Sequence, residues 1–374
     1  MSWRTVAMDS IKAVVPYAFV GGPFGSNLTT RDYVDEGVPV IRGNNLPADS
    51  WFHDDDYVFV SEKKADDLRS NTAFPGDLVF TQRGTLGQVG LIPLDAKYQR
   101  YIISQSQMKL TVEPGSADPR FVYYFFRLPG TVTSLINHVL TSGVPHINLG
   151  ILKKFKITLP GLEVQRNIAD ILSAYDDLIE NNRRRMVLLE EAARQLYREW
   201  FIRLRFPGHE HTRVTNGVPE GWEKVPFESA LVLQRGFDLP VQDREDGDVP
   251  IYGSTGINGF HNKAKVVGPG IVTGRSGTLG EVRYIEGDFW PLNTALWVKE
   301  FRRVPPLFTL FLMREMDLKQ FNGGASVPTL DRKTVHRTEI LMPPKTLLRS
   351  FDEFAAPLFQ QIGSLISQIE KLRA

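Results

Sequence analysis

Hydrophobic positions along the first 160 residues fall into short runs bounded by glycine, proline and asparagine. Such runs predict β-strands, and they lie at residues 38–42, 77–81, 88–92 and 108–112. Two further apolar runs, residues 121–126 and 306–311, follow or begin with prolines and predict short helices. Strands and loops with a few helices predict an α+β domain.

The pattern changes to a helical period after Pro160 and Gly161. Residues 163–204 contain neither glycine nor proline, and Pro207 with Gly208 predicts the end of the helix. About 40 residues with a rise of about 1.5 Å each form a helix of about 60 Å. One face of this helix is apolar. It carries Ile168, Ile171, Leu172, Tyr175, Leu178, Ile179, Met186, Leu189, Ala192, Ala193, Leu196 and Trp200.

A second, shorter helical stripe covers residues 347–372. Pro357 lies inside it and predicts a kink or a restart, because an interior proline costs about 3 kcal/mol. Each stripe alone would be exposed, so we expect the two long helices to pair antiparallel, like a coiled coil, with a pseudo-two-fold axis between the two halves of the chain. Asn182 interrupts the first stripe, and a polar residue in a helix seam fixes its register. The residues predicted to pair are Ile171, Tyr175, Leu178, Asn182 and Leu189 with Phe351, Leu358, Ile362, Leu365 and Ile369. The alternative is a coiled coil that only dimerises the protein.

An internal repeat with a period near 190 residues organises the chain. Residues 3–10 are echoed by 222–229, residues 37–42 by 248–253, and the loop 75–89 by 269–282. The segments 142–145 and 157–160 answer to 326–328 and 340–343, the latter at an offset of 183. A period of this size indicates a domain duplication. We therefore predict similar domains at 1–160 and 206–344, followed by spacer helices at 161–205 and 345–374.

Composition narrows the class of protein only moderately. The absence of cysteine excludes disulfides, zinc fingers and thiol nucleophiles. A net charge of +1 gives no global sign of nucleic-acid binding, although basic groups could still cluster on one face. No apolar run approaches the roughly 20 residues that a membrane-spanning helix needs. The first residues lack the pattern of a signal peptide, so we expect a cytoplasmic protein without a membrane partner.

The sequence lacks the motifs of the enzymes that act on DNA. It contains no Asn-Pro-Pro-aromatic motif for an extruded adenine and no Gly-Lys-Ser/Thr phosphate loop. The glycines of residues 274–280 are interpreted as a turn, because no helix-forming stretch follows them. His53 beside three aspartates is interpreted as an acidic turn, with a metal site as the alternative. Asp77 is interpreted as structural because its counterpart in the repeat is Ile271. We predict neither catalytic residues nor a metal site.

The succession of domain, long helix, related domain and second helix resembles the specificity subunits of type I restriction–modification enzymes. The resemblance covers essentially the whole chain. Its most specific motifs are residues 22–26 followed by 37–42, and residues 142–160 running into 165–169. The Pro-Gly-Asp and Gly-Thr-Leu-Gly loops add to the resemblance. Each motif alone is weak, but together they occur in the same order in both halves of the chain.

The resemblance implies a non-catalytic subunit that binds double-stranded DNA. Each target-recognition domain would read one half of a bipartite DNA site, which is asymmetric because the two recognition surfaces differ. The helices would space the domains and dock two modification (methyltransferase) subunits, which restriction subunits with translocase and nuclease activity would join. S-adenosylmethionine, ATP and Mg would be bound by those partner subunits, and this chain would bind no cofactor.

Candidate base-reading residues follow from side-chain chemistry and position in loops after the repeated strands. Arginine pairs with guanine, and asparagine or glutamine with adenine, in the major groove. The candidates are Arg42, Asn44, Asn45, Gln82, Arg83, Gln105 and Gln107 in the first copy, and Tyr252, Ser254, Thr255, Asn258, Arg275, Ser276 and Asn293 in the second. For each of them a hydrogen bond within the loop is the alternative role.

Two other functions compete with the DNA-reading subunit. One is the recognition half of a fused restriction–methylation protein, and the other is a structural two-domain adaptor without a role on DNA. Selection of binding sites from random duplexes separates them, because only a reader enriches a split motif.

Overall fold

A computed structural model describes residues 3–140, 146–324 and 326–373. The predicted motif at residues 142–145 lies outside the described residues. The chain divides into two compact units, Met1–Glu180 and Asn181–Ala374, and the division falls inside the long helix. No helix in the described part of the chain is both long and apolar enough to cross a membrane.

The first unit combines small sheets with short helices and the start of the long helix. Its strands are β1 (Arg4–Ala7), β2 (Phe19–Gly21), β3 (Tyr33–Val34), β4 (Val38–Ile41), β5 (Val58–Val60), β6 (Thr72–Ala73), β7 (Leu78–Thr81), β8 (Val89–Leu91), β9 (Tyr101–Ile103), β10 (Gln107–Leu110) and β11 (Lys156–Leu159). Its helices are α1 (Glu62–Asp67), α2 (Pro119–Arg127), α3 (Pro129–Leu140), α4 (Leu149–Lys154) and α5 (Leu162–Tyr197). The main sheet has the antiparallel order β2-β10-β7-β8, β1 pairs with β11, and β4 runs parallel to β9.

The second unit repeats this scheme. Its strands are β12 (Val214–Thr215), β13 (Val218–Pro219), β14 (Glu223–Pro226), β15 (Leu231–Arg235), β16 (Val249–Gly253), β17 (Gly256–His261), β18 (Gly270–Gly274), β19 (Val282–Ile285), β20 (Trp290–Pro291), β21 (Ala295–Phe301) and β22 (Glu339–Met342). Its helices are α6 (Phe227–Ala230), α7 (Pro306–Glu315), α8 (Arg332–Arg337) and α9 (Lys345–Arg373). Here the main sheet has the order β15-β21-β18-β19, β14 pairs with β22, and β16 runs parallel to β20.

The two sheet orders correspond strand for strand, so the predicted duplication and the α+β class are confirmed. The four predicted strands of the first copy are observed as β4, β7, β8 and β10. The proline-initiated apolar runs are observed as α2 and α7. Asp118 caps α2 through the backbone N–H groups of Arg120 and Phe121, and Pro119 occupies the first turn, where its missing N–H is harmless.

The long helix has nearly the predicted bounds. Helix α5 continues as a π-helical turn, Arg198–Ile202, and Gly208 then adopts a left-handed φ of 85°. Helix α9 continues through Pro357, so of the predicted kink or restart the restart is wrong. The apolar residues buried along one face of α9 stabilise the helix through packing, and this stabilisation offsets the cost of the proline.

Within the second unit, the end of α5 and helix α9 pack antiparallel, as predicted. Asn182 Nδ2 lies 3.4 Å from Gln368 Oε1. Fifteen residues later on α5, the ring centroid of Tyr197 lies 5.9 Å from that of Phe351, which comes earlier on α9 than Gln368. The predicted pairing residues of this part of the seam are buried or half-buried. They are Asn182, Leu189, Phe351, Leu358, Ile362, Leu365 and Ile369.

The first part of the predicted seam is not buried. Ile171, Tyr175 and Leu178, which belong to the first unit, are 60%, 49% and 46% exposed, and their pairing with α9 stays a prediction.

Replacing Asn182 with leucine should raise the free energy of unfolding of the second unit by about 1 kcal/mol. Asn182 is 1% exposed and its bond to Gln368 is long, so a buried apolar side chain contributes more than the bond that is lost. Urea unfolding measures the change, and the neighbouring exposed Asn181→Leu is the matched control with an expected change near zero. A destabilised Asn182→Leu variant would contradict the prediction.

Candidate nucleic-acid interface

Polar loops meet at one end of the strands of the first unit. Their side chains line an open cavity of about 550 Å³. The lining consists of Arg42, Gly43, Asn44, Thr81, Arg83, Gly84, Thr85, Gln88, Ser104, Ser106 and Gln107. The ends of β4 and β7 and the β9–β10 turn, which are distant in sequence, therefore form one surface.

Backbone hydrogen bonds hold these loops together. Ser104 N donates to Ile41 O at 3.0 Å, which joins the β9–β10 turn to the end of β4. Gln82 N and Arg83 N both donate to Ser106 O, at 2.7 and 3.4 Å. The frame is thus built from main-chain groups, and the side chains remain free to vary.

Two glycines let the loop after β7 turn back into β8. Gly84 and Gly87 have φ values of 98° and 86°, a region that side chains with a Cβ rarely adopt. Another glycine explains the motif at residues 22–26: a Cβ on Gly22 would lie 2.0 Å from Ser104 O. Only glycine permits that close approach to the β9–β10 turn.

The second unit contains the same backbone frame. Leu292 N donates to Tyr252 O at 2.8 Å, and Arg275 N and Ser276 N both donate to Thr294 O, at 2.8 and 3.1 Å. In both units the loop carbonyl then accepts from a later segment: Gln82 O from Ile147 N, and Arg275 O from Leu330 N. Gly277 and Gly280 repeat the left-handed φ values, 91° and 95°.

These bonds establish which positions are equivalent, independently of sequence similarity. Gln82 corresponds to Arg275 and Arg83 to Ser276, because each pair donates to the same carbonyl of the frame. Counting from Ser106 and Thr294, Gln105 corresponds to Asn293. Several predicted residues therefore occupy matched positions with different side chains.

Some predicted residues present free or exposed side chains. Arg83 is exposed, and its guanidinium has no partner among the residues that the structure describes. Gln82, Ser254 and Ser276 are half-buried, and Thr255 is exposed at the β16–β17 turn. These groups remain available to a ligand.

Other predicted residues are exposed or half-buried but already hydrogen-bonded. Arg42 donates to the backbone carbonyl of Asp56 at 2.7 Å, and Asn44 donates to the Asp56 carboxylate at 2.7 Å. Gln105 Nε2 holds the carbonyl oxygens of Gly25 and Leu28, at 2.5 and 2.6 Å.

The second copy shows the same division. Asn258 accepts from Arg244, through Oδ1 at 3.1 Å, and Asn293 Nδ2 donates to Asp238. Tyr252 packs edge-on against Phe289, and burial raises the pKa of its hydroxyl. These side chains order the loops around the site.

Two predicted readers are buried, and base reading by them stays a prediction. Asn45 is 0% exposed, and its amide bonds Arg42 N, His53 O and Asp55 O, so it closes its own loop. Gln107 is 1% exposed and accepts from the Ser104 hydroxyl. Both amides satisfy buried backbone or turn groups, which sequence position alone does not reveal.

Each unit also buries an arginine Nε at this surface without a hydrogen-bond partner in the described chain, in Arg42 and in Arg275. An unsatisfied buried donor costs about 1–3 kcal/mol, so both loops are held at some cost to stability. The aspartates after His53 take part in hydrogen bonds within the chain. Asp54 accepts from the Tyr57 and Tyr101 hydroxyls at 2.7 and 2.9 Å, and the described residues hold no cluster of metal-ligating side chains.

Gln88, which is not among the predicted readers, also lines the cavity. Its Oε1 accepts from the Thr81 hydroxyl at 3.2 Å. It directly follows the repeated Gly-Thr-Leu-Gly loop, where the second copy has Glu281. That difference next to a constant motif was the signal that could have identified it.

The known proteins that resemble this chain are of one kind. Residues 27–191 match the family model of the type I restriction modification DNA specificity domain. The type I restriction enzyme MjaIX specificity subunit of Methanocaldococcus jannaschii is 23% identical over 97% of this chain and 89% of its own length. The MjaVIII specificity subunit of the same organism is 29% identical over 36% of this chain and 32% of its own length.

A solved structure shares the fold. The type I restriction-modification S subunit from M. genitalium superposes with a TM-score of 0.58 at 17% identity, covering 100% of this chain and 93% of that one. The duplicated frame, the long helix that follows each sheet-rich domain, and the family match agree. This chain is similar to the specificity subunits of type I restriction–modification enzymes, and its residues 27–191 match their DNA specificity domain.

Proposed function

We propose that this chain is the non-catalytic subunit that reads a bipartite, asymmetric DNA site, one half with each unit. The observation that carries the proposal is the backbone frame, which is the same in both units, while Gln82 and Arg83 in one are replaced by Arg275 and Ser276 in the other. A constant frame with different hydrogen-bonding side chains suits two readers of different sequences. Glutamine and arginine at these positions match the edges of adenine and guanine.

The helices supply the proposed docking surface for two modification subunits, which restriction subunits would join. Helix α5 exposes a cluster of large apolar side chains, namely Ile171, Leu172, Tyr175 and Leu178. Contiguous exposed apolar surface is typical of protein contacts. S-adenosylmethionine, ATP and Mg belong, in this proposal, to those partners.

Selection from random duplex DNA tests the function. The full chain, assembled with its modification subunit, should enrich a motif with two specified parts separated by an unspecified gap. An adaptor without a role on DNA would enrich no motif, and that result would remove the proposal. A fused-protein fragment would enrich its motif without any need for a separate modification subunit.

Arg83→Ala should weaken binding to the selected site about tenfold, within the range that one bidentate arginine–guanine pair contributes. The guanine preference should disappear at one position of one half-site, because the second unit has Ser276 at the position equivalent to Arg83. Competition binding with single-base variants of the site measures both effects. Arg100→Ala is the control: it removes the same charge at the opposite end of β9, where Arg100 is paired with Glu62 and Asp66. Equal losses for the two variants would contradict base reading by Arg83.

A further inference from the structure

Gln88 and Glu281 occupy equivalent positions at the two reading surfaces. Each directly follows the second left-handed glycine of its loop, Gly87 or Gly280. The strand register agrees, since Val89 pairs with Phe80 and Val282 pairs with Thr273 in the corresponding strands. The loops therefore present one amide and one carboxylate from the same place in the frame.

The Gln88 amide faces the cavity in the first unit. Its Oε1 accepts from the Thr81 hydroxyl at 3.2 Å and lies 3.8 Å from the position of a Cβ on Gly43. Oε1 keeps a second lone pair, and Nε2 has no hydrogen-bond partner among the described residues. A side chain held in this way offers one acceptor and one donor side by side.

The Glu281 carboxylate lies beside the predicted readers of the second unit. Its side chain is 52% exposed, and one oxygen pairs with Arg283. Arg283 in turn donates to Thr255 O at 3.4 Å, which ties the carboxylate to the β16–β17 turn. A carboxylate repels phosphates, so its presence among DNA-facing loops favours contact with a base edge over contact with the backbone.

We propose that this position is a specificity determinant, at which Gln88 selects adenine in one half-site and Glu281 selects cytosine in the other. The inference rests on the function proposed above. The chemistry is complementary in both cases. A glutamine amide donates to adenine N7 and accepts from N6, whereas a carboxylate only accepts and therefore suits the N4 amino group of cytosine.

Site selection with the full chain and its modification subunit tests the assignment. Glu281→Gln should replace cytosine by adenine at a single position of one half-site, with an adenine-to-cytosine ratio changed by about tenfold or more. Gln88→Glu should produce the reverse change at a single position of the other half-site. Both exchanges are close in size and the side chains are not buried in a core, so the frame is retained.

Glu300→Gln is the matched control for Glu281→Gln. Glu300 also pairs with an arginine two residues later, Arg302 at 3.0 Å, but at the opposite end of β21 from Ala295. Gln99→Glu, in the exposed segment before β9, serves the first unit. Neither control should alter the selected motif.

The outcomes separate this inference from the proposed function. A wild-type split motif that both variants leave unchanged overturns the assignment of Gln88 and Glu281 while the reading function stands. A Glu281→Gln variant that binds more weakly with an unchanged motif also overturns it, because that is the behaviour of a residue that only positions Arg283. If the wild-type complex enriches no motif, the proposed function fails and this inference fails with it.

Discussion

Lys109→Met should lower the free energy of unfolding of the first unit by about 3–5 kcal/mol, the cost of leaving a buried charge without its partner. Lys109 and Asp77 are 3% and 2% exposed, and Lys109 Nζ lies 3.0 Å from Asp77 Oδ2. Thr111 donates to the other carboxylate oxygen at 2.5 Å. Methionine preserves the shape of the lysine chain but leaves the Asp77 carboxylate unpaired in the sheet.

The two partners are less costly to replace together than one at a time. Strand register places Val79 opposite Lys109 in the first unit and Val272 opposite Trp297 in the second, so an aromatic residue stands where Lys109 does, and the counterpart of Asp77 is Gly270, not the predicted Ile271. The double variant Asp77→Leu/Lys109→Met should therefore recover part of the stability; the Phe74 N–H, which donates to Asp77 Oδ2 at 2.9 Å, loses its acceptor in it. Unfolding in urea, detected by amide hydrogen exchange in β10, measures the stability of the first unit separately from that of the second.

An exposed pair provides the control for Lys109→Met. Lys12 lies 3.0 Å from Asp9, and both side chains are about two-fifths exposed, 41% and 43%. Lys12→Met should change stability by less than about 1 kcal/mol, because water screens an exposed pair. A double variant as unstable as Lys109→Met would refute the argument from the unpaired carboxylate.

Phe351→Ala should destabilise the second unit by about 3–5 kcal/mol, because truncation of a buried phenylalanine removes apolar contacts and leaves a cavity. Phe351 is 0% exposed. Its ring centroid lies 5.3 Å from that of Phe201 and 5.9 Å from that of Tyr197. It therefore joins α9 to the end of the long helix, and exchange protection should fall in both segments.

Phe354→Ala is the matched control, one helical turn further along α9. Phe354 is 61% exposed, and its ring centroid lies 5.9 Å from that of Trp200. Its removal should cost about 1 kcal/mol or less. Similar losses for the two variants would show that α9 is not anchored through Phe351.

The sequence predicted the scaffold more fully than the site. The repeat at residues 75–89 and 269–282 located the loops, since left-handed glycines such as Gly87 and Gly280 leave a recognisable motif. The same reasoning selected Asn45 and Gln107, which are buried, and passed over Gln88. Side-chain type and loop position do not say whether an amide faces solvent or a neighbouring backbone group.

By itself the sequence determined the strands, the duplication and the long helix, because hydrophobic period, glycine and proline act on neighbouring residues in the chain. The tertiary structure decided which side chains are free. The Ser106 carbonyl accepts from the backbone N–H groups of Gln82 and Arg83 across the sheet, while the amides of Asn45 and Gln107 are buried in hydrogen bonds to other segments or turns. Contacts between segments far apart in sequence depend on packing and register, which local patterns do not encode.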